Sequence, residues 1–170
     1  GCSSNNINNT NPITLTGTVT APQGTQVTAE MNTDSYLAFL QKVFLGKVNA
    51  DATNTPVPNA KIVILNYATG QEITTAKTNE NGKYKITGLP ENEDLVILAT
   101  KEVNNSKIRI SAIVPNFNAQ TTVSGDVNAV TTVVAEKYGK NLGKNKEVDT
   151  NTIDQELKAS EVTVQNYLNK

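Results

Sequence analysis

The sequence Thr78-Asn-Glu-Asn-Gly-Lys-Tyr-Lys-Ile86 decides the fold of this chain. The Asn-Gly pair at positions 81 and 82 is a strong hairpin signal, because both residue types tolerate a positive φ angle. After this pair, Tyr84 and Ile86 alternate with Lys83 and Lys85. An alternation of this kind is typical of a strand with one buried face and one solvated face. The stretch therefore predicts a tight turn that leads into a half-buried β-strand.

Further short runs rich in β-branched residues lie on both sides of this stretch. Sequences rich in Pro, Gly and Asn separate the runs, and these residues form turns. Strands spaced roughly 8–12 residues apart, without helices between them, favour an antiparallel β-sandwich. The predicted strands are Val43–Asn49, Lys61–Tyr67, Glu72–Thr78, Lys83–Thr87, Leu95–Lys101 and Lys107–Val114.

The segment before these runs holds one more predicted strand, at residues 13–20. Ile13, Leu15 and Val19 share one face, and threonines line the other. We expect such a threonine-faced strand to lie at a sheet edge, where it could accept a strand from a partner. Residues 25–41 are ambiguous, and within them residues 35–41 fit a short helix.

The chain after Pro115 changes from strand-like to helical periodicity. Asn128 or Asp126 would cap a first helix, and Thr152–Gln155 has the pattern of a capping box for a terminal helix of about four turns. We expect both helices to pack on the sandwich through their apolar stripes. The two stripes consist of Val130, Val133, Val134, Tyr138 and Leu142, and of Ile153, Leu157, Val164 and Leu168.

Several of these strings resemble the carboxypeptidase regulatory-like domain. They carry, in order, a G-x-V strand, a loop ending in P-hydrophobic-x-x-A-x-V, and T-x-x-x-G-x-Y-x-I. The resemblance covers roughly residues 42–115 and implies a transthyretin-like, Greek-key sandwich of about seven strands. We therefore predict a mainly β chain, with the sandwich at residues 13–118 and a helical extension at 119–170. The matching strings are Leu45–Ala50, Pro56–Ile64, Thr78–Ile86, Gly88–Pro90 and Leu95–Ala99.

The beginning of the sequence resembles the processing site of bacterial lipoproteins. Cys2 is the single cysteine, and small residues surround it. In that family the cysteine carries the lipid, so the resemblance implies acylation of Cys2 and a place in the cell envelope, anchored to a membrane. The polar run that follows has little to bury, so we predict a flexible tether at residues 1–12.

The composition excludes several classes of function. There are 15 Lys and Arg residues against 16 Asp and Glu, and this balance lacks the basic excess of a nucleic-acid binder. The sequence has no histidine and one cysteine, so a Ser-His-Asp or Cys-His nucleophile and an ordinary zinc site are excluded. The carboxylates of Glu91, Glu93 and Asp94 cluster in a Pro-containing turn, which is typical of a solvated loop. We expect no catalytic residue, metal or cofactor.

Two kinds of candidate site remain. Carbohydrate platforms need exposed aromatic rings, and the candidates are Tyr67, Tyr36 and Phe117, with Tyr67 at a strand end preferred. Related adhesin repeats form a Lys–Asn isopeptide bond, and that relationship makes Lys47 a candidate lysine. Asp149, Asn151 and Asp154 fit either a calcium loop or helix capping, and their spacing favours capping.

These features favour a non-catalytic lipoprotein of the cell envelope. Its sandwich would serve as a binding, adhesion or scaffolding module for another envelope protein. The alternative is a carbohydrate-binding accessory lipoprotein whose partner is a polysaccharide. An exposed patch formed by Tyr36, Tyr67 and Phe117 would favour the alternative.

Overall fold

The computed structural model describes residues 14–22, 54–103, 106–117 and 123–168. These residues form nine strands and two helices, and neither helix is long and apolar enough to cross a membrane. The strands are β1 (Thr14–Thr18), β2 (Thr20–Pro22), β3 (Asn54–Pro56), β4 (Lys61–Asn66), β5 (Glu72–Lys77), β6 (Lys83–Thr87), β7 (Glu93–Val103), β8 (Ser106–Phe117) and β9 (Val123–Ser124). The helices are α1 (Ala129–Gly139) and α2 (Thr150–Leu168).

The longer strands form two sheets that pack face to face. Sheet I has the strand order β6-β1-β9, and sheet II has the order β5-β4-β7-β8. All pairs are antiparallel except β1 with β9, and β2 and β3 form a separate two-stranded ribbon. The chain crosses from sheet II to sheet I after β5, returns after β6, and crosses again after β8. The predicted mainly antiparallel sandwich is therefore confirmed.

The main core lies between the two sheets. Leu15, Val19, Tyr84 and Ile86 point inward from sheet I, as the alternation around Asn81-Gly82 predicts. The turn at Asn79–Gly82 also forms, with Gly82 at φ 73°. It joins β5 to β6, which belong to different sheets, so it is a corner between layers and not a hairpin within one sheet. The inward residues of sheet II are Ile62, Ile64, Leu95, Ile97, Ala99, Ile110, Ala112 and Val114.

Strand β1 lies in the centre of sheet I and not at an edge, contrary to the prediction. Gly17 makes this position possible, because a Cβ atom there would lie 2.3 Å from the Gly125 carbonyl oxygen and 2.9 Å from the Tyr84 ring. The Tyr84 hydroxyl donates to the same carbonyl at 2.6 Å. Because β6 and β9 pair with its two sides, β1 has no free edge for a partner strand.

The outer face of sheet II is covered by the C-terminal helices, as predicted. Val134 and Ala135 of α1 and Ile153 of α2 share a second apolar cluster with Val96 and Ile113 of the sheet. Sheet II is therefore buried on both faces, and the domain has three layers: sheet I, sheet II and the helices.

Helix α1 also covers part of the outer edge of sheet II. Its predicted cap is confirmed, since the Asn128 side chain accepts from Thr131 N at 3.0 Å. At the edge strand β8, Ser111 N donates to the Thr132 hydroxyl at 2.9 Å, and the Thr131 hydroxyl donates to Ser111 O at 2.8 Å. Threonine hydroxyls thus replace a neighbouring strand at this point of the edge.

Two predicted boundaries differ from the structure. Strand β9 and the bridge between Val19 and Val127 belong to sheet I, so the helical extension begins at Ala129 and not at residue 119. Helix α2 begins at Thr150, because the Asp149 carboxylate accepts from Thr152 N at 2.9 Å and takes the capping role that the sequence assigned to Thr152. The predicted strand at 43–49, the predicted helix at 35–41 and the predicted tether lie outside the described residues.

Candidate functional site

A groove of about 570 Å³ opens at the end of the sandwich where β4, β7 and β8 meet the segment before α2. Its walls come from the turn after β4, the start of β7, the end of β8 and the first residue of α2. The lining residues are mostly polar: Asn66, Ala68, Thr69, Asn92, Glu93, Asp94, Asn116, Glu147, Val148, Asp149 and Thr150.

Asp94 connects three walls of this groove. One carboxylate oxygen accepts from Asn116 N at 2.6 Å, and the other accepts from Val148 N at 3.1 Å. The Asp94 carbonyl also accepts from Tyr67 N at 2.9 Å. These bonds fix the end of β8, the segment before α2 and the turn after β4 relative to one another. The predicted solvated loop is therefore wrong for Asp94, whose carboxylate holds backbone groups.

The turn after β4 is held by a second polar residue, Asn66. Its side-chain oxygen accepts from Thr69 N at 3.0 Å, and its amide group donates to the Glu93 carboxylate. Asn92 and Asn116, on either side of this contact, adopt positive φ angles of 63° and 47°. Asparagine tolerates this conformation better than most residues, so the amide-rich sequence of these loops suits their backbone.

Tyr67 lies in the core of the domain and not at its rim, so the prediction that it forms an exposed sugar platform is wrong. Its side chain is 1% exposed, and its hydroxyl donates to the Tyr138 carbonyl at 2.9 Å. The helical extension causes this burial, because Gly143 N donates to the Tyr67 carbonyl and Asn145 N donates to the Ala68 carbonyl. Burial raises the pKa of Tyr67, and the nearby Asp94 raises it further.

The groove is acidic. It contains four carboxylates, and no lysine or arginine is found among the described residues that line it. Three of the carboxylates, those of Glu93, Asp94 and Asp149, accept hydrogen bonds from neighbouring amide or backbone N–H groups. The described part of the chain has no group of three or more His, Cys, Asp or Glu residues arranged to hold a metal ion. The arrangement suits the recognition of hydrogen-bond donors and cations on a partner.

A smaller cavity of about 210 Å³ lies between α1 and the outer face of sheet II. Val96, Leu98 and Ala135 form its apolar walls, and Arg109 and Glu136 lie at its polar side. Burial raises the pKa of Glu136, although the positive charge of Arg109 acts in the opposite direction.

The structure does not bring the predicted site residues together. Tyr67 is buried, and Phe117 pairs with Glu93 through its backbone, while its side chain is not described. Cys2, Tyr36 and Lys47 lie outside the described residues. Sequence reasoning missed the groove, because its residues come from four separated segments. The cluster of Glu93 and Asp94 before a buried strand was the one local signal.

The chain is a member of the carboxypeptidase regulatory-like domain family. The family model matches residues 44–135, which is more than half of the chain and includes β3 to β9 and part of α1. No curated protein matches the sequence.

The family match and the structure differ in their first strand. The match begins at residue 44, close to the G-x-V string of Gly46, Lys47 and Val48. In the structure, the strand beside β6 is β1, which carries a second G-x-V string, Gly17, Thr18 and Val19.

Proposed function

We propose that this chain is a non-catalytic lipoprotein of the cell envelope whose domain binds another envelope protein. The domain would serve in adhesion or scaffolding, and a lipid on Cys2 would anchor it to a membrane. The Gly1-Cys2-Ser3-Ser4 pattern and the polar run after it support the anchor. Several acyl chains on one residue would hold such a domain at a membrane, at about 0.8 kcal/mol for each buried methylene.

One observation carries the binding proposal: the carboxylates of the groove are fixed by backbone and amide N–H groups. Asp94, with two backbone partners, is the clearest case. A rigid, polar groove recognises a partner with little loss of conformational entropy on binding. Its negative charge favours a partner segment that carries lysine or arginine.

The polysaccharide alternative is weaker on this structure. The aromatic residue preferred for a sugar platform, Tyr67, is buried and bonded to the helical extension. The described residues supply no other exposed aromatic ring in the groove, because its lining contains none. A protein partner is therefore the function that the geometry favours.

The anchor is tested on protein isolated from the envelope of the native cells. Mass spectrometry of the N-terminal peptide is expected to show an acylated Cys2, and the Cys2→Ser variant is expected to leave the membrane fraction. A peptide with an unmodified cysteine would refute the anchor and leave the binding proposal intact.

Binding at the groove is tested with a photoreactive residue at Thr150, which lines the groove and is exposed. The matched control is the same residue at Lys158, an exposed position on α2 outside the groove. We expect a protein adduct at Thr150 and not at Lys158, and Glu147→Lys should reduce it while Glu161→Lys on α2 should not. Equal adducts at both positions, or a polysaccharide adduct, would contradict the proposal.

A further inference from the structure

Two segments of this chain carry the pattern that sheet I needs in its central position. Aligning Gly17 with Gly46 places Leu15, Val19 and Ala21 on Phe44, Val48 and Ala50, a constant offset of 29 residues. The first three residues are the buried, inward-facing residues of β1 and β2. The second set supplies apolar side chains at the same alternate positions.

The glycine is the demanding element of this pattern. The place of Gly17 between β6 and β9 accepts no side chain, because a Cβ atom would lie 2.3 Å from Gly125 O and 2.6 Å from Gly125 C. Both contacts are with backbone atoms, so they cannot be relieved by a rotamer change. Gly46 meets this requirement in the second segment.

The connection to β3 also fits the second segment. In the structure, Pro22 of β2 pairs with Asn54 of β3. The offset of 29 residues puts Asp51 in the position of Pro22, opposite Asn54, and leaves Ala52 and Thr53 between the two strands. Two residues form the shortest common loop of an antiparallel hairpin. The second segment could therefore enter the slot without stretching the chain.

We propose that residues 44–51 are a second occupant of the slot between β6 and β9, and that they replace β1 and β2 when that segment is withdrawn. Two side chains explain why β1 is the resting occupant. Lys47 would take the place of Thr18 opposite Lys83, which puts like charges on directly paired positions. Leu45 would take the place of Thr16 on the outer face of sheet I.

The exchange would lengthen the connection between the domain and a lipid on Cys2, a consequence that rests on the proposed anchor. About 12 residues separate Cys2 from β1, and about 42 separate it from Phe44. At about 3.6 Å for each residue, the maximum reach increases from about 43 Å to about 150 Å. A pull on the tether would thus extend the lipoprotein while the sandwich stays closed.

The test uses the full chain in a Cys2→Ser background, so its result does not depend on lipidation. Thr16 and Lys85 are directly paired in the structure, and a T16C/K85C chain reports β1 in the slot by disulfide formation. A L45C/K85C chain reports the second segment. Gly17→Val blocks β1, and Gly46→Val blocks the second segment.

We expect the disulfide of T16C/K85C to form in the parent and to persist with Gly46→Val. The disulfide of L45C/K85C should change from a minor to the major fraction of monomeric chains when Gly17→Val is added. The Gly17→Val chain should also melt well above the Gly17→Val/Gly46→Val chain. If Gly17→Val gives no monomeric 45–85 crosslink, or melts like the double variant, the proposal is wrong.

Discussion

The two sheets of this domain meet in one core but differ on their outer faces. Sheet II carries the helices, and its strands are apolar on both sides, as in Leu95–Ala99 of β7. On sheet I, β6 alternates buried Tyr84 and Ile86 with exposed lysines and a threonine. The difference teaches that a continuous apolar run marks a strand between two layers, whereas alternation marks a strand at the surface.

Loss of packing in the central layer should give the largest effect on this comparison. Ile97 is 0% exposed and lies between the sheets. We expect Ile97→Ala to lower the free energy of unfolding by about 2–5 kcal/mol, since it removes buried methyl groups and leaves a cavity. The matched control is Thr87→Ala on the exposed side of β6, with an expected change within about 0.5 kcal/mol. Urea denaturation measures both, and equal losses would contradict the layered core.

An exchange of isosteric residues tests the two outer faces directly. Val96→Thr places a hydroxyl under the helices, where Val96 is 8% exposed, and should cost about 1–3 kcal/mol. The reciprocal Thr16→Val on the outer face of sheet I should change stability by less than about 0.5 kcal/mol. If thermal denaturation gave the same loss for both variants, the outer faces would not differ as described.

Two tyrosine hydroxyls connect the layers, and each should have a smaller effect. Tyr67 donates to Tyr138 O of α1, and Tyr84 donates to Gly125 O beside sheet I. We expect Tyr→Phe at either position to cost about 1 kcal/mol, because a carbonyl partner loses its hydrogen bond. Chemical denaturation of both single variants checks this, and a stabilised Tyr67→Phe chain would contradict the contact with the extension.

Glu136 under α1 should give the smallest effect, and one that depends on pH. Burial raises the pKa of Glu136 above its ordinary value, so the folded state favours the protonated form. Stability is then lost as pH rises from the unfolded pKa through the folded pKa. Glu136→Gln should be more stable than the parent at neutral pH, and the difference should disappear in acid. Melting curves between pH 3 and pH 8 test this sign, and a less stable Glu136→Gln chain at pH 7 would contradict it.

Local sequence patterns predicted most of sheet II and the approach to sheet I. The runs of β4 to β8, the turn at Gly82 and the Asn128 cap depend on neighbours within a few residues, so a linear pattern contains them. The inward direction of Tyr84 follows from the same alternation.

The parts that the sequence did not predict depend on distant contacts. Tyr67 has the local pattern of a strand end, and its burial comes from Tyr138 and Gly143, more than 70 residues later. The central position of β1 depends on β9, which has two residues and too little pattern to be recognised. The groove has the same origin, since Asp94 selects its partners at Asn116 and Val148.

The central claim is that sheet II is enclosed between sheet I and the C-terminal helices. Methyl NOE spectroscopy on the full chain tests it most directly, with Ile, Leu and Val methyl groups labelled. We predict cross-peaks from Leu15 to Ile97 through the inner core and from Val134 to Val96 or Ile113 through the outer cluster. If Val134 gave cross-peaks to neither outer-face residue while the Leu15–Ile97 peak was present, the three-layer arrangement would be wrong.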